Sequence, residues 1–123
     1  MNFEELKGQT LTAIDVDKGN AQINFTTDAG KIFKMYHSQD CCESVDIEDI
    51  SGDIADLFGS PLLQAEEASS SDTWPEGVKK EYEPESYTWT FYKLATIKGS
   101  VTIRWYGSSN GYYSESVSFA EAV

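Results

Sequence analysis

The chain has 123 residues, 40% of them hydrophobic and 13% aromatic, and a formal net charge of -12. That length suits a single domain over 1–123, and the apolar content suits a packed core rather than a disordered acidic segment. The charge balance argues against direct binding to nucleic acid or to anionic membranes, both of which call for clustered Lys and Arg.

The opening "MNFEELKGQT" has neither a basic start nor an apolar run, so no secretory signal is expected. No apolar stretch is long enough for a transmembrane helix. "NFEELKG" reads as one helical turn ended by Gly8. "TLTAIDVD", "AQINFT" and "KIFKMYH" then read as three antiparallel strands joined by "KGN" and "DAG" turns. Alternation puts Ala21, Ile23 and Phe25 on one face of the second strand, and Phe33, Met35 and His37 on one face of the third.

Residues 37–72 carry ten acidic and no basic side chains, whereas 1–36 and 73–123 each carry a net -1. Within that central third, Ile47, Ile50, Ile54, Leu57 and Phe58 recur at helical spacing. The pattern predicts an amphipathic helix near 46–58, with Glu48, Asp49, Asp53 and Asp56 on its outer side. Ser44 or Asp46 would cap it, Gly59 and Pro61 would stop it, and Gly52 would weaken it by roughly 1 kcal/mol. "PLLQAEEA" leans to strand, and the Ser-, Glu- and Pro-rich stretch 69–86 reads as a long, mobile loop.

"YTWTFYKLATI" alternates with Tyr87, Trp89 and Phe91 on one face, then changes phase after Lys93, which suggests a bulge. "VTIRWY" puts Val101, Ile103 and Trp105 on one side and Thr102, Arg104 and Tyr106 on the other, "GSSNG" turns the chain, and "YYSESVSF" closes it with Val117 and Phe119 alternating against serines. The expected fold is α+β: six or seven antiparallel strands in two groups, with the one acidic helix packed between them.

Two motifs hold the unusual chemistry. "MYHSQDCCESV" gathers His37, Asp40, Cys41, Cys42 and Glu43. As a zinc site it lacks a second pair of Cys or His ligands, and neighbouring cysteines point apart on an extended chain. As a Cys-His catalytic pair it has an acidic setting, which raises a thiol pKa. Adjacent cysteines make a strained ring, so both are expected reduced, and the stretch reads best as a strand-to-helix corner with a buried Cys. "DVDKGN" and "DIEDISGD" fail the spacing of an EF-hand calcium loop. "RWYGSSNGYYSES" sets Tyr106, Tyr112 and Tyr113 around a small polar loop, residue types that anchor interfaces but also pair across hairpins.

Together, "HSQDCCESV" with the following "DI.GD…DL.GSP" and "ESYTWTFYKLATIKGSVTIRWYGSSNGYYSESV" resemble a family of small uncharacterised proteins encoded by bacteriophages and prophages, over about residues 30 to 119. The resemblance implies a phage origin and action in the host bacterial cytoplasm, and transfers no activity to any residue. By analogy with small acidic phage proteins, the expectation is a non-enzymatic inhibitor of a bacterial defence or nucleic-acid-handling protein, anti-CRISPR-like and mimicking nucleic acid. Its partner would be a basic host protein, with no cofactor. Glu48, Asp49, Asp53, Asp56, Glu66 and Glu67 would supply the acidic surface, with Tyr106, Tyr112 and Tyr113 as anchors. The alternative is a small-molecule or metal-binding module built on His37, Asp40, Cys41, Cys42 and Glu43.

Overall fold

"FEEL" is too short for an α-helix and closes as a 3-10 turn over Phe3–Leu6, the form that short helical pieces take. Phe3 and Leu6 face inward while Glu4 and Glu5 stay in water. The computed structural model describes residues 3–17, 19, 21–39, 42–71, 86–110 and 114–122.

Strands β1 (Leu11–Asp17), β2 (Gln22–Thr27) and β3 (Ile32–Tyr36) form the expected meander. Ile23 and Phe25 of β2 and Phe33 and Met35 of β3 are buried, as their alternation requires. The chain continues through β4 (Ser44–Ser51), β5 (Gln64–Ser71), β6 (Ser86–Thr96), β7 (Gly99–Ser109) and β8 (Ser118–Ala122). Two four-stranded antiparallel sheets result, ordered β1-β2-β3-β8 and β4-β7-β6-β5. The last strand thus returns to the first sheet and pairs with β3, Met35 opposite Phe119.

The expected α+β fold is therefore corrected to an all-β one. No α-helix occurs among the described residues, whose helical segments are two 3-10 turns. The predicted helix at 46–58 is the bulged strand β4 followed by a 3-10 turn, Ile54–Leu57. Val45 and Ile47 alternate inward between exposed Ser44, Asp46 and Glu48. The register against β7 then slips between Ile47 and Asp49, so Ile50 is the next apolar residue to meet that strand, opposite Ile103. A bulge has turned a period of two into a spacing of three, which imitates a helix. Gly52 rules the helix out: its φ is 108°, and a Cβ there would collide with the Ser100 carbonyl oxygen. Asp53, not Ser44 or Asp46, is the capping residue, its carboxylate accepting from the Ala55 N–H at 3.0 Å.

The phase change in β6 has a different cause from the expected bulge. Its pairing with β5 and β7 is unbroken. This central strand is instead covered on both faces: Tyr92 and Leu94 enter the core, while Trp89 packs on the other side against Tyr106 at 4.7 Å. Of the predicted loop 69–86, residues 69–71 belong to β5 and Ser86 to β6; 72–85 lie outside the described residues.

One apolar cluster joins the sheets. Phe3 meets Phe25 and Phe119 of the first sheet and Tyr92 of the second, all edge-on, with centroids 4.7 to 6.3 Å apart. Burying that ring is worth about 3 kcal/mol at most, and it acts as a plug between layers. The Trp105 indole N–H donates to the Met35 sulfur at 3.2 Å, a second bridge across the core.

Gly52→Ala is expected to cost about 2 kcal/mol or more, from strain at positive φ plus the clash with Ser100. Ser51→Ala beside it should change stability by less than about 0.5 kcal/mol. Urea midpoints at constant m-value check both.

Candidate functional site

The two unusual motifs meet in space. "HSQDCCESV" leaves β3 and enters β4, and "RWYGSSNGYYSES" ends β7 and begins the crossing to β8. β4 and β7 zip them together, Ser44 opposite Ser108, Val45 opposite Gly107 and Asp46 opposite Tyr106. Gly107 lets the crossing segment lie flat on this junction: a Cβ there would sit 2.9 Å from the Glu115 carbonyl oxygen.

His37 is the knot. Its side chain is 4% exposed and that of Glu43 is fully buried. Nδ1 lies 2.6 Å from the Ser116 carbonyl oxygen and Nε2 lies 2.8 Å from Glu43 Oε2. A carbonyl can only accept, so Nδ1 carries a proton. The Nε2 contact then needs one more proton, held either by the ring as imidazolium or by the Glu43 carboxyl. Gln39 Nε2 donates to the Glu43 backbone carbonyl at 2.7 Å and to Glu43 Oε1 at 3.2 Å. A cavity of about 250 Å³ opens beside this cluster, bordered by Ala21, Gln39, Glu43 and Asp46.

This geometry limits the chemistry. With both ring nitrogens engaged, His37 has no lone pair to offer a metal or a substrate proton without breaking a bond. No group of three or more His, Cys, Asp or Glu side chains poised for a metal occurs among the described residues. Cys42 is disulfide-bonded, against the expected reduced thiols, so it offers no thiolate. Asp40 and Cys41 lie outside the described residues. The expected strand-to-helix corner is a strand-to-strand corner, because β4 replaces the helix.

A second buried carboxylate stands on the other side of the crossing segment. Glu115 is 9% exposed; Oε1 accepts from the Thr88 hydroxyl at 2.7 Å and Oε2 from the Ser109 hydroxyl at 2.5 Å. Nearby on the same sheet, the Tyr92 hydroxyl donates to Glu67 Oε1 at 2.7 Å. Burial, that bond and the Glu67 charge hold this phenol protonated far above its usual range. Sequence reasoning missed Glu115 and Thr88 because both fall in polar alternations that read as solvent-facing. The one signal was a lone acid in a serine run at a strand crossing.

The acidic residues singled out from the sequence do not form one face. Glu48, Asp49, Asp53 and Asp56 follow β4 and its turn, while Glu66 and Glu67 lie on β5. Those strands are opposite edges of a four-stranded sheet, about 14 Å apart. Glu48 Oε2 takes the Arg104 guanidinium at 2.5 Å, and Asp49 accepts from the Ser51 hydroxyl at 3.1 Å. Glu66 accepts from the Gln64 amide at 3.0 Å. Tyr106 is half-buried against Trp89, over whose ring Arg104 also lies, 5.4 Å from the centroid. Tyr112 and Tyr113 lie outside the described residues.

Fold and corner together define an all-β domain of two four-stranded sheets tied by a buried His–Glu pair. The DUF7448 domain of unknown function matches residues 4–119, and the chain belongs to that family. No curated protein and no solved structure matches it. Among the described residues no helix is long and apolar enough to cross a membrane.

Glu43→Leu should cost about 3–5 kcal/mol, the usual loss when one member of a buried pair is removed. A double-mutant cycle with His37→Leu should show strong coupling, read from urea unfolding. A cost below about 1 kcal/mol would place the pair in the surface class instead.

Proposed function

We propose that this chain is a phage-encoded, non-enzymatic protein that binds and inhibits a basic protein of a bacterial host, one that handles nucleic acid or defends against it. The observation that supports this is the acidic edge of the second sheet. Asp46, Glu48, Asp49, Asp53 and Asp56 succeed one another along β4 and the turn after it. Three of these acids stand on the bulged strand and two on the turn after it, so negative charge runs along the whole of this edge. Arg104 neutralises Glu48, and no other ion pair to this row occurs among the described residues. β4 is also a sheet edge, where outward charges prevent pairing with other strands. That protective role accounts for one or two acids. It does not require the net -10 carried by 37–72.

A run of carboxylates along a strand edge and its turn suits a groove built to neutralise phosphates, because such a groove presents Lys and Arg in sequence. Mimicry of nucleic acid then needs no catalytic group and no cofactor. Host action and phage origin belong to this reading through the resemblance of the two long motifs.

The double variant Asp46→Lys, Asp49→Lys should lower affinity for a basic partner captured from bacterial lysate by about tenfold or more, and the parent complex should weaken as salt rises. A control, Glu5→Lys with Asp28→Lys, changes net charge equally on exposed sites elsewhere. Equal losses in both pairs would reduce the effect to bulk charge and remove the β4 edge from the account.

A further inference from the structure

The groove beside Glu115 is separate from the β4 edge, meets the His37 corner at Ser116, and has an unusual lining. It encloses about 350 Å³ between the β5–β6 surface and the crossing segment. Glu67 and Ser69 of β5, Thr88 and Thr90 of β6, and Glu115 and Ser116 of the crossing face into it. Hydroxyls and carboxylates therefore dominate, and no lysine or arginine lines it among the described residues.

Glu115 is the informative member. Its carboxylate is buried and receives two hydroxyl hydrogen bonds, one on each oxygen. A carboxylate has about four acceptor sites, so roughly half its capacity remains. Hydroxyl donors orient the group without cancelling a charge, no cation bonds it among the described residues, and a buried charge without a counter-charge is costly. Glu67 adds a second carboxylate from the β5 wall, one oxygen held by Tyr92. Both are fixed by neutral donors in an open groove, an arrangement that a cation with several N–H donors completes.

We propose that this groove is a binding site for a ligand bearing a guanidinium or ammonium group flanked by further hydrogen-bonding groups, the cation seated between Glu115 and Glu67. The serine and threonine hydroxyls bond the neighbouring polar groups of that ligand. Two sources share this chemistry: an arginine or lysine side chain presented by another protein, and a free polyhydroxylated amine. The groove shares no residue with the acidic row on β4 and its turn, so its occupation does not depend on the acidic-edge reading.

The test is titration of ¹⁵N-labelled protein with acetyl-Gly-Arg-Gly-amide and, separately, with glucosamine. The citrulline peptide and glucose serve as neutral counterparts. The expected result is saturable shifts at the Thr88, Thr90, Glu115 and Ser116 amides with at least one cationic probe, and binding about tenfold weaker for its neutral counterpart. Saturation by the peptide alone assigns the site to a presented side chain, and saturation by glucosamine alone assigns it to a free amine. Glu115→Gln should abolish the shifts. Should that variant unfold, Glu67→Gln on the exposed wall should still weaken binding several-fold. No saturable shift with either cation, equal shifts with neutral counterparts, or binding unchanged in Glu67→Gln would overturn the proposal.

Discussion

Everything distinctive about this chain hangs on the His37 ring, held between the Glu43 carboxylate and the Ser116 carbonyl. His37 closes the first sheet's meander, Glu43 opens the second sheet, and Ser116 lies on the crossing that carries the chain back to the first. One imidazole thus fixes three segments. Both groups are buried, so the bonds act where water cannot compete and where losing one partner strands the other. The corner sets where β4 begins, and with it the line of the acidic edge. It also holds the crossing segment against Gly107, which presents Glu115 to its groove.

The apolar core does a different job. Phe3, Phe25, Tyr92 and Phe119 interlock between the layers, and Trp105 reaches across to Met35. These contacts hold the sheets together but leave alignment at the corner open, because hydrophobic burial has no direction. Alignment is what the hydrogen-bonded corner adds. The molecule pairs a nondirectional core with a directional polar seam, and both candidate surfaces border the seam.

Much of the sheet structure was legible in the sequence. Period-two alternation in β2, β3 and β7 located buried faces correctly, because one side of each carries the apolar residues. Legibility failed where that condition failed. In β6 both faces are covered, so apolar residues appear on odd and even positions and look like a slip. In β4 a bulge set Ile47 and Ile50 three apart, and the turn after Gly52 extended the helical imitation to Leu57. Gly52 was the contrary signal, since a glycine at positive φ against a carbonyl is a break rather than a weak helical position. The site was legible as two motifs but not as one place, because the pairing of Val45 with Gly107 and the bond from His37 to Ser116 span long sequence separations that no local pattern encodes.

The proposed role of the acidic β4 edge is to meet a basic partner. Hydrogen–deuterium exchange of the protein alone and saturated with its captured host partner tests it most directly, since an edge strand exchanges readily until something covers it. Protection concentrated over 44–57, with β1 to β3 unchanged, is the predicted result. Protection confined to the first sheet, with 44–57 exchanging as in the free protein, would contradict it.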